Sequence, residues 1–179
     1  YLIYLFYKKQ SVNGLGFGIC ALFTGTASFI AHASGAKIFS FFDFAAIFSI
    51  FSLYAAKDMI YTNTVKTKNV LALFALFFIP STLLLYYFTF LREAIFGTFV
   101  ISLLIWESKI LKAQDKPFLV TSNKKLLGVF FFGAICLGLD ASKIICDPHN
   151  HFFQMHSVWH ICCATSIYFL ARHLDQHRP

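Results

Sequence analysis

The chain is built from long apolar runs that alternate with short polar or basic breaks. A helix needs about 20 predominantly apolar residues to cross a bilayer, with a range of ~17–25, and the longest runs reach that length. The pattern therefore predicts an all-α fold: a polytopic membrane protein whose seven-transmembrane helix bundle forms a single domain over residues 1–179. The predicted spans are residues 1–7, 12–33, 41–60, 70–91, 94–106, 126–139 and 156–170.

The first of these runs, residues 1–7, is too short to cross a bilayer by itself. It has neither a basic leader nor a small-residue cleavage site, so it is not typical of a signal peptide. Because the sequence begins with Tyr1 rather than Met, we interpret this run as the remainder of a first helix that is truncated in this chain.

The composition supports the membrane class and excludes several others. Hydrophobic residues make up 58% of the 179 residues and charged residues 13%, whereas soluble domains average ~25% charged residues. A soluble domain of this size could not bury so much apolar surface. The aromatic content of 19% excludes a disordered chain. The five cysteines, an odd number that lies mostly within apolar runs, do not form the framework of a disulfide-rich domain.

The net charge of +7 reflects membrane topology rather than nucleic-acid binding. The sequence has no basic stripe and no nucleic-acid motif, and its Lys and Arg residues sit in the breaks between apolar runs. If the predicted spans alternate in direction, 12 of these 15 residues fall on one side of the membrane. The positive-inside rule then predicts that this side, with the C-terminus, is cytoplasmic. The twelve are Lys8, Lys9, Lys57, Lys66, Lys68, Lys109, Lys112, Lys116, Lys124, Lys125, Arg172 and Arg178.

Five polar side chains in the predicted spans are candidates for function, because polar and ionisable groups are costly inside a membrane. Ser28 and His32 lie four residues apart near the end of one span, so they share a helical face. His156 and His160 have the same spacing at the start of the last span, and Asp43 lies near the start of the third. The predicted topology places all five at the same depth, on the non-cytoplasmic side of the membrane.

Three histidines with a carboxylate nearby favour a catalytic zinc site, which has three protein ligands and one open position. Here the ligands would be His32, His156 and His160. Haem held by two histidines is an alternative, but it leaves Asp43 unexplained. Each element also has a simpler interpretation. Asp43 could cap its helix, and the histidines could be interfacial anchors beside Trp159, which suits the headgroup belt.

Other polar residues of the spans have structural interpretations. Asp140 closes the sixth predicted span, and we expect it to pair with Lys143, three residues later. Cys162 and Cys163 are adjacent within the last span, where small apolar packing is the expected role. None of these residues is assigned to the site.

The candidate site residues and their neighbours resemble the CREST superfamily of seven-helix membrane hydrolases, and within it the alkaline ceramidase family. In that family the second helix carries a small residue pair followed by x-x-x-His, to which residues 25–32 are similar. Its last-helix motif, approximately Gln-Gly-His-x-x-Trp-His, is similar to residues 154–160, with Met155 in place of the Gly. The segment Cys146-Asp147-Pro148 also looks ceramidase-like.

This resemblance implies a zinc-dependent intramembrane amidohydrolase that cleaves ceramide-type sphingolipids to a sphingoid base and a fatty acid. It implies that His32, His156 and His160 bind zinc. Asp43 would orient or deprotonate the attacking water, and Ser28 would hydrogen-bond the oxyanion or orient the water. The expected partner is a membrane lipid of the ceramide class, and no nucleic acid is expected. The family also has an acidic calcium-binding segment before its first helix. This sequence contains no such segment, so the resemblance does not imply calcium dependence.

Two other classes of function stay open on the sequence. A seven-helix receptor of the progestin and adipoQ type would bind a ligand and use a structural or weakly hydrolytic zinc site. A non-enzymatic membrane fusion or structural relative would function without the metal. The presence of both Ser28 and Asp43 favours the hydrolase over this second alternative.

Overall fold

Helices make up nearly all of the part of the chain that the structure describes. The computed structural model describes residues 12–61, 65, 69–113, 121–143 and 155–177, and these contain six α-helices, one 3₁₀ turn and no strand. The all-α prediction is confirmed, whereas the first predicted span, residues 1–7, lies outside the described residues. The helices are α1 Val12–Ser34, α2 Lys37–Tyr61, α3 Val70–Tyr87, α4 Arg92–Ala113, α5 Thr121–Ala141 and α6 Met155–His177, and the 3₁₀ turn is Thr89–Leu91.

Several helices extend beyond the apolar runs that predicted them. α2 begins at Lys37 rather than Phe41, and α6 continues to His177 rather than ending at residue 170. Polar residues are tolerated at the ends of membrane helices because long polar side chains there reach water or headgroups. The earlier start of α2 changes the position of Asp43, which lies in the second turn of the helix and not at its cap. The capping interpretation of Asp43 is therefore wrong.

Four helical stretches of the described residues are long and apolar enough to cross a membrane, as expected for an integral membrane protein. α5 is not among them, because Lys124 and Lys125 precede its apolar stretch and Asp140 follows it. What lies between is shorter than the ~17 residues of the shortest usual span. The four stretches are Gly14–Ser34, Lys37–Tyr61, Val70–Tyr87 and Thr89–Lys109.

The chain divides into two compact units, Tyr1–Phe118 and Leu119–Pro179. In the N-terminal unit, α2 packs against both α1 and α3, and most of its buried residues are Ala or Ser. Gly16 of α1 permits close contact with α2, since a Cβ atom there would lie 3.0 Å from Leu53 Cδ2. Small residues at helix contacts let backbones approach, which is typical of helices that pack in a membrane.

Aromatic side chains fill the contact between α2 and α4. Phe48 is fully buried and packs edge-to-face on Phe96 and Phe99, with ring centroids 6.3 and 5.5 Å apart. A hydrogen bond lies further along the same two helices, where the Tyr54 hydroxyl donates to Glu107 Oε2 at 2.7 Å. These contacts hold α2, the helix that carries Asp43, by both apolar and polar interactions.

A tight turn joins α1 to α2. Gly35 follows the last residue of α1 with a φ of +64°, and its N–H donates to the Ala31 carbonyl at 3.0 Å. Glycine favours this left-handed conformation because it has no Cβ atom, and it is a usual way to end a helix. The turn leaves His32 in the last turn of α1 and close along the chain to the start of α2.

The C-terminal unit contains a pair of packed antiparallel helices, α5 and α6. The two helices approach closely at Gly133, where a Cβ atom would lie 2.6 Å from Cys162 Cβ and 3.1 Å from Trp159 Cε3. The Trp159 ring also packs on Phe130, with ring centroids 5.8 Å apart. This packing brings the end of α5 next to the beginning of α6.

Candidate metal centre

His156 and His160 lie on one face of the first two turns of α6. Their ring centroids are 4.8 Å apart and the ring planes are inclined by 67°. Both side chains are partly buried. Two imidazoles at this spacing on a helix can bind the same metal ion, as in the His-x-x-x-His motif of zinc enzymes.

Ser28 and His32 share one face of α1, as their spacing predicts. Ser28 is buried, whereas His32 is exposed near the end of the helix. The exposed imidazole is accessible to a metal ion, and Ser28 lies one helical turn away from it along the same face. The structure therefore keeps the serine and the histidine on one side of α1.

Two of the three histidines predicted as ligands, His156 and His160, lie together in the C-terminal unit, and the third, His32, belongs to the N-terminal unit. Each of these imidazoles can offer a ring nitrogen to a metal ion. Imidazole ligands suit zinc and also other divalent metals.

Asp43 has an unsatisfied carboxylate oxygen. Its Oδ1 atom is buried and accepts no hydrogen bond from the described residues. A buried acceptor without a donor costs about 1–3 kcal/mol, and more when the group is charged. The unsatisfied Oδ1 atom of Asp43 is therefore suited to accept a hydrogen bond from a ligand or a water molecule rather than from another side chain.

Asp140 lies beside His156, although the sequence placed it outside the site. Asp140 Oδ2 is 3.3 Å from His156 Nδ1. The predicted side-chain pairing with Lys143 is not found. Instead, the backbone N–H of Lys143 donates to the Asp140 carbonyl at 3.0 Å, and Lys143 adopts a φ of +57° where α5 ends. The only signal of this arrangement in the sequence was a carboxylate at the end of an apolar run, which says nothing about a partner on another helix.

Trp159 belongs to the contact between α5 and α6 and not to a headgroup belt. It is only 4% exposed and packs against Phe130 and Gly133. The interpretation of the histidines as interfacial anchors was supported by Trp159 as a headgroup-belt residue, and the burial of the indole removes that support. In the structure, the buried indole instead anchors the turns of α6 that carry His156 and His160.

Comparison with known proteins gives no match: no family model, no curated protein and no solved structure matches this chain. A proposal about function therefore rests on the chemistry of the residues described above and on the motif resemblance of the sequence.

Proposed function

We propose that this protein is a zinc-dependent intramembrane amidohydrolase that cleaves ceramide-type sphingolipids to a sphingoid base and a fatty acid. The observation that carries the proposal is the pair of imidazoles of His156 and His160 on one face of α6. We propose that His32 of α1 completes this histidine group. A site with three imidazole ligands is typical of catalytic rather than structural zinc, because a catalytic site keeps a fourth position open. The choice of a ceramide as substrate comes from the motif resemblance to the alkaline ceramidases.

The donor set of the group fits zinc. Imidazole nitrogen is a common zinc ligand, and none of the described free cysteines, Cys20, Cys136, Cys162 and Cys163, belongs to the group. When bound, zinc supplies Lewis acidity, which polarises a carbonyl group and makes water a better nucleophile at neutral pH. The protein contributes the three imidazoles that hold the ion and the side chains that handle the proton.

In this proposal Asp43 is the general base and then the general acid. Its carboxylate takes a proton from the water whose oxygen attacks the amide carbonyl carbon. It returns that proton to the nitrogen as the C–N bond breaks, so the sphingoid base leaves as an amine and the fatty acid keeps the water oxygen. The buried Oδ1 atom, which accepts no hydrogen bond from the described residues, supports this role because it is available to accept a proton.

Ser28 is proposed to stabilise the oxyanion that forms on the carbonyl oxygen. Its hydroxyl can donate a hydrogen bond, and its place one turn from His32 keeps it on the metal-binding face of α1. Ser28 is buried, with 9% of its surface exposed, so competition from bulk water is weak. A donor that is already oriented in a dry environment stabilises developing charge more strongly than one in water.

The helix surfaces suit a lipid substrate. Large apolar side chains are widely exposed on the helices, among them Phe29, Leu71 and Ile135, and such surfaces mark contact with lipid in a protein of this class. A two-chain amide lipid dissolved in the bilayer could then reach the site sideways without entering water. The proposal also keeps the predicted orientation, with the C-terminus in the cytoplasm and the histidines towards the opposite side.

The proposal is tested on the full chain purified in detergent. We expect stoichiometric zinc by elemental analysis and release of fatty acid from a fluorescent ceramide. His156→Ala and His160→Ala should lose both zinc and activity. Asp43→Ala should retain zinc but lose about 10²–10⁴-fold in turnover, the range for general acid–base catalysis.

The matched control is His177→Ala, which removes an imidazole from the last residue of the same helix, α6. It should leave zinc content and activity unchanged. Full activity in either His156→Ala or Asp43→Ala would contradict the scheme. Stoichiometric zinc without hydrolysis of any lipid amide would instead favour a receptor of the progestin and adipoQ type.

A further inference from the structure

Asp140 and His156 form a contact between α5 and α6 that the proposed reaction does not use directly. Asp140 Oδ2 lies 3.3 Å from His156 Nδ1, and the two side chains are 23% and 32% exposed. We propose that Asp140 is a positioning residue, which holds the imidazole of His156 through Nδ1 so that Nε2 is the atom that binds the metal. This inference rests on the proposed metal site.

The position of Asp140 is unfavourable for its own helix. It lies in the last turn of α5, where the partial negative charge of the helix dipole disfavours a carboxylate. The local backbone does not compensate, because the N–H groups of Ser142 and Lys143 donate to the carbonyls of Gly138 and Asp140. Among the described residues, the ion-pair partner of the carboxylate is His156.

The packing of the two helices explains how the contact arises. Asp140 follows Gly133 by seven residues, which is two helical turns along the same face of α5. His156 precedes Cys162, whose Cβ atom lies 2.6 Å from a Cβ placed at Gly133, by six residues. Six residues span about 9 Å of α6, close to the ~10.5 Å between Gly133 and Asp140 on α5. Because the helices run in opposite directions, the close contact at Gly133 sets the register that places Asp140 opposite His156.

A carboxylate on the second nitrogen of a ligating histidine has a known chemical effect. It fixes the tautomer and the ring orientation and makes the metal-binding nitrogen more basic. Removing such a partner typically lowers metal affinity or activity by about 10–100-fold. If the contact only joined α5 to α6, its loss would lower stability and leave zinc affinity unchanged.

The test compares Asp140→Ala, Asp140→Asn and Lys143→Ala in the full chain. Zinc affinity is measured by competition with a chromophoric chelator, and the visible spectrum of the Co²⁺-substituted protein reports the ligand geometry. We expect zinc affinity to fall by about 10–100-fold in Asp140→Ala. The loss should be smaller in Asp140→Asn, because the amide oxygen still accepts a hydrogen bond from Nδ1. Lys143→Ala should leave affinity and spectrum unchanged, since its side chain is not the partner.

Several results would overturn the positioning role. One is wild-type zinc affinity in both Asp140 variants while His156→Ala loses the metal; Asp140 would then be structural. Another is loss of zinc in Asp140→Asn as complete as in His156→Ala, with a changed Co²⁺ spectrum; Asp140 would then be a ligand itself. A wild-type protein that binds no zinc overturns the proposed function, and the positioning role with it. Asp140→Asn keeps the shape of the side chain, so it gives a result even if Asp140→Ala fails to fold.

Discussion

Ser28 is the smallest of the candidate catalytic side chains, and it is the one whose role differs most clearly from that of the metal ligands. It shares the His32 face of α1 and is buried. A hydroxyl that only donates to the oxyanion contributes to turnover and not to metal binding. Loss of one such donor typically lowers kcat by about 10²–10³-fold.

We therefore expect Ser28→Ala to bind zinc like the wild type and to hydrolyse ceramide about 10²–10³-fold more slowly. Turnover of a fluorescent ceramide and zinc content, measured on the same preparation, check this prediction. Thr26→Ala is the matched control, because the Thr26 hydroxyl is on the same helix, is exposed and bonds to the Leu22 carbonyl. Loss of zinc in Ser28→Ala would show that the serine supports the metal site itself.

At the scale of the helix pair, Gly133 sets how closely α5 and α6 approach. A Cβ atom at 2.6 Å from Cys162 Cβ is closer than non-bonded carbons tolerate, so any side chain at this position pushes the two helices apart. Gly138 lies on the same helix, but a Cβ atom there would have no neighbour within 4 Å. Comparing an alanine substitution at Gly133 with one at Gly138 therefore distinguishes the effect of contact between the helices from the effect of helix propensity.

We expect Gly133→Ala to destabilise the protein by about 1–3 kcal/mol, as overpacked cores do. The same change should weaken zinc binding, because it moves the turns of α6 that carry His156 and His160. Gly138→Ala should leave the melting temperature in detergent equal or higher, since Ala favours helix over Gly by up to about 1 kcal/mol. Equal melting temperatures for the two variants would contradict the close contact at Gly133.

For the whole molecule, the uneven distribution of basic residues predicts the orientation in the membrane. With 12 of 15 Lys and Arg residues on one side of the predicted spans, a tag at the C-terminus should face the cytoplasm. In sealed microsomes, a C-terminal glycosylation acceptor should stay unmodified, whereas an acceptor inserted at Gly35, in the turn between α1 and α2, should be glycosylated. The opposite pattern would invert the predicted topology.

Most of the helices could be predicted from the sequence, because their formation depends on local patterns of apolar and polar residues. Each described α-helix contains a predicted apolar run, and four of the predicted spans match stretches that are long and apolar enough to cross a membrane. Helix ends were less predictable: α2 starts at Lys37, and only this earlier start shows that Asp43 is not a cap. The spacing of four also sufficed to place His156 with His160 on one face, because a helix has a fixed period.

By itself, then, the sequence determined the helical class, four apolar spans and the shared helical face of His156 and His160, all of which follow from properties of neighbouring residues. Tertiary structure alone decided that Trp159 is buried between α5 and α6 and that Asp140 meets His156 instead of Lys143. Both depend on the register between two helices, which is set by the close approach at Gly133. Periodicity within one helix carries no information about that register, because it arises only when the two surfaces pack.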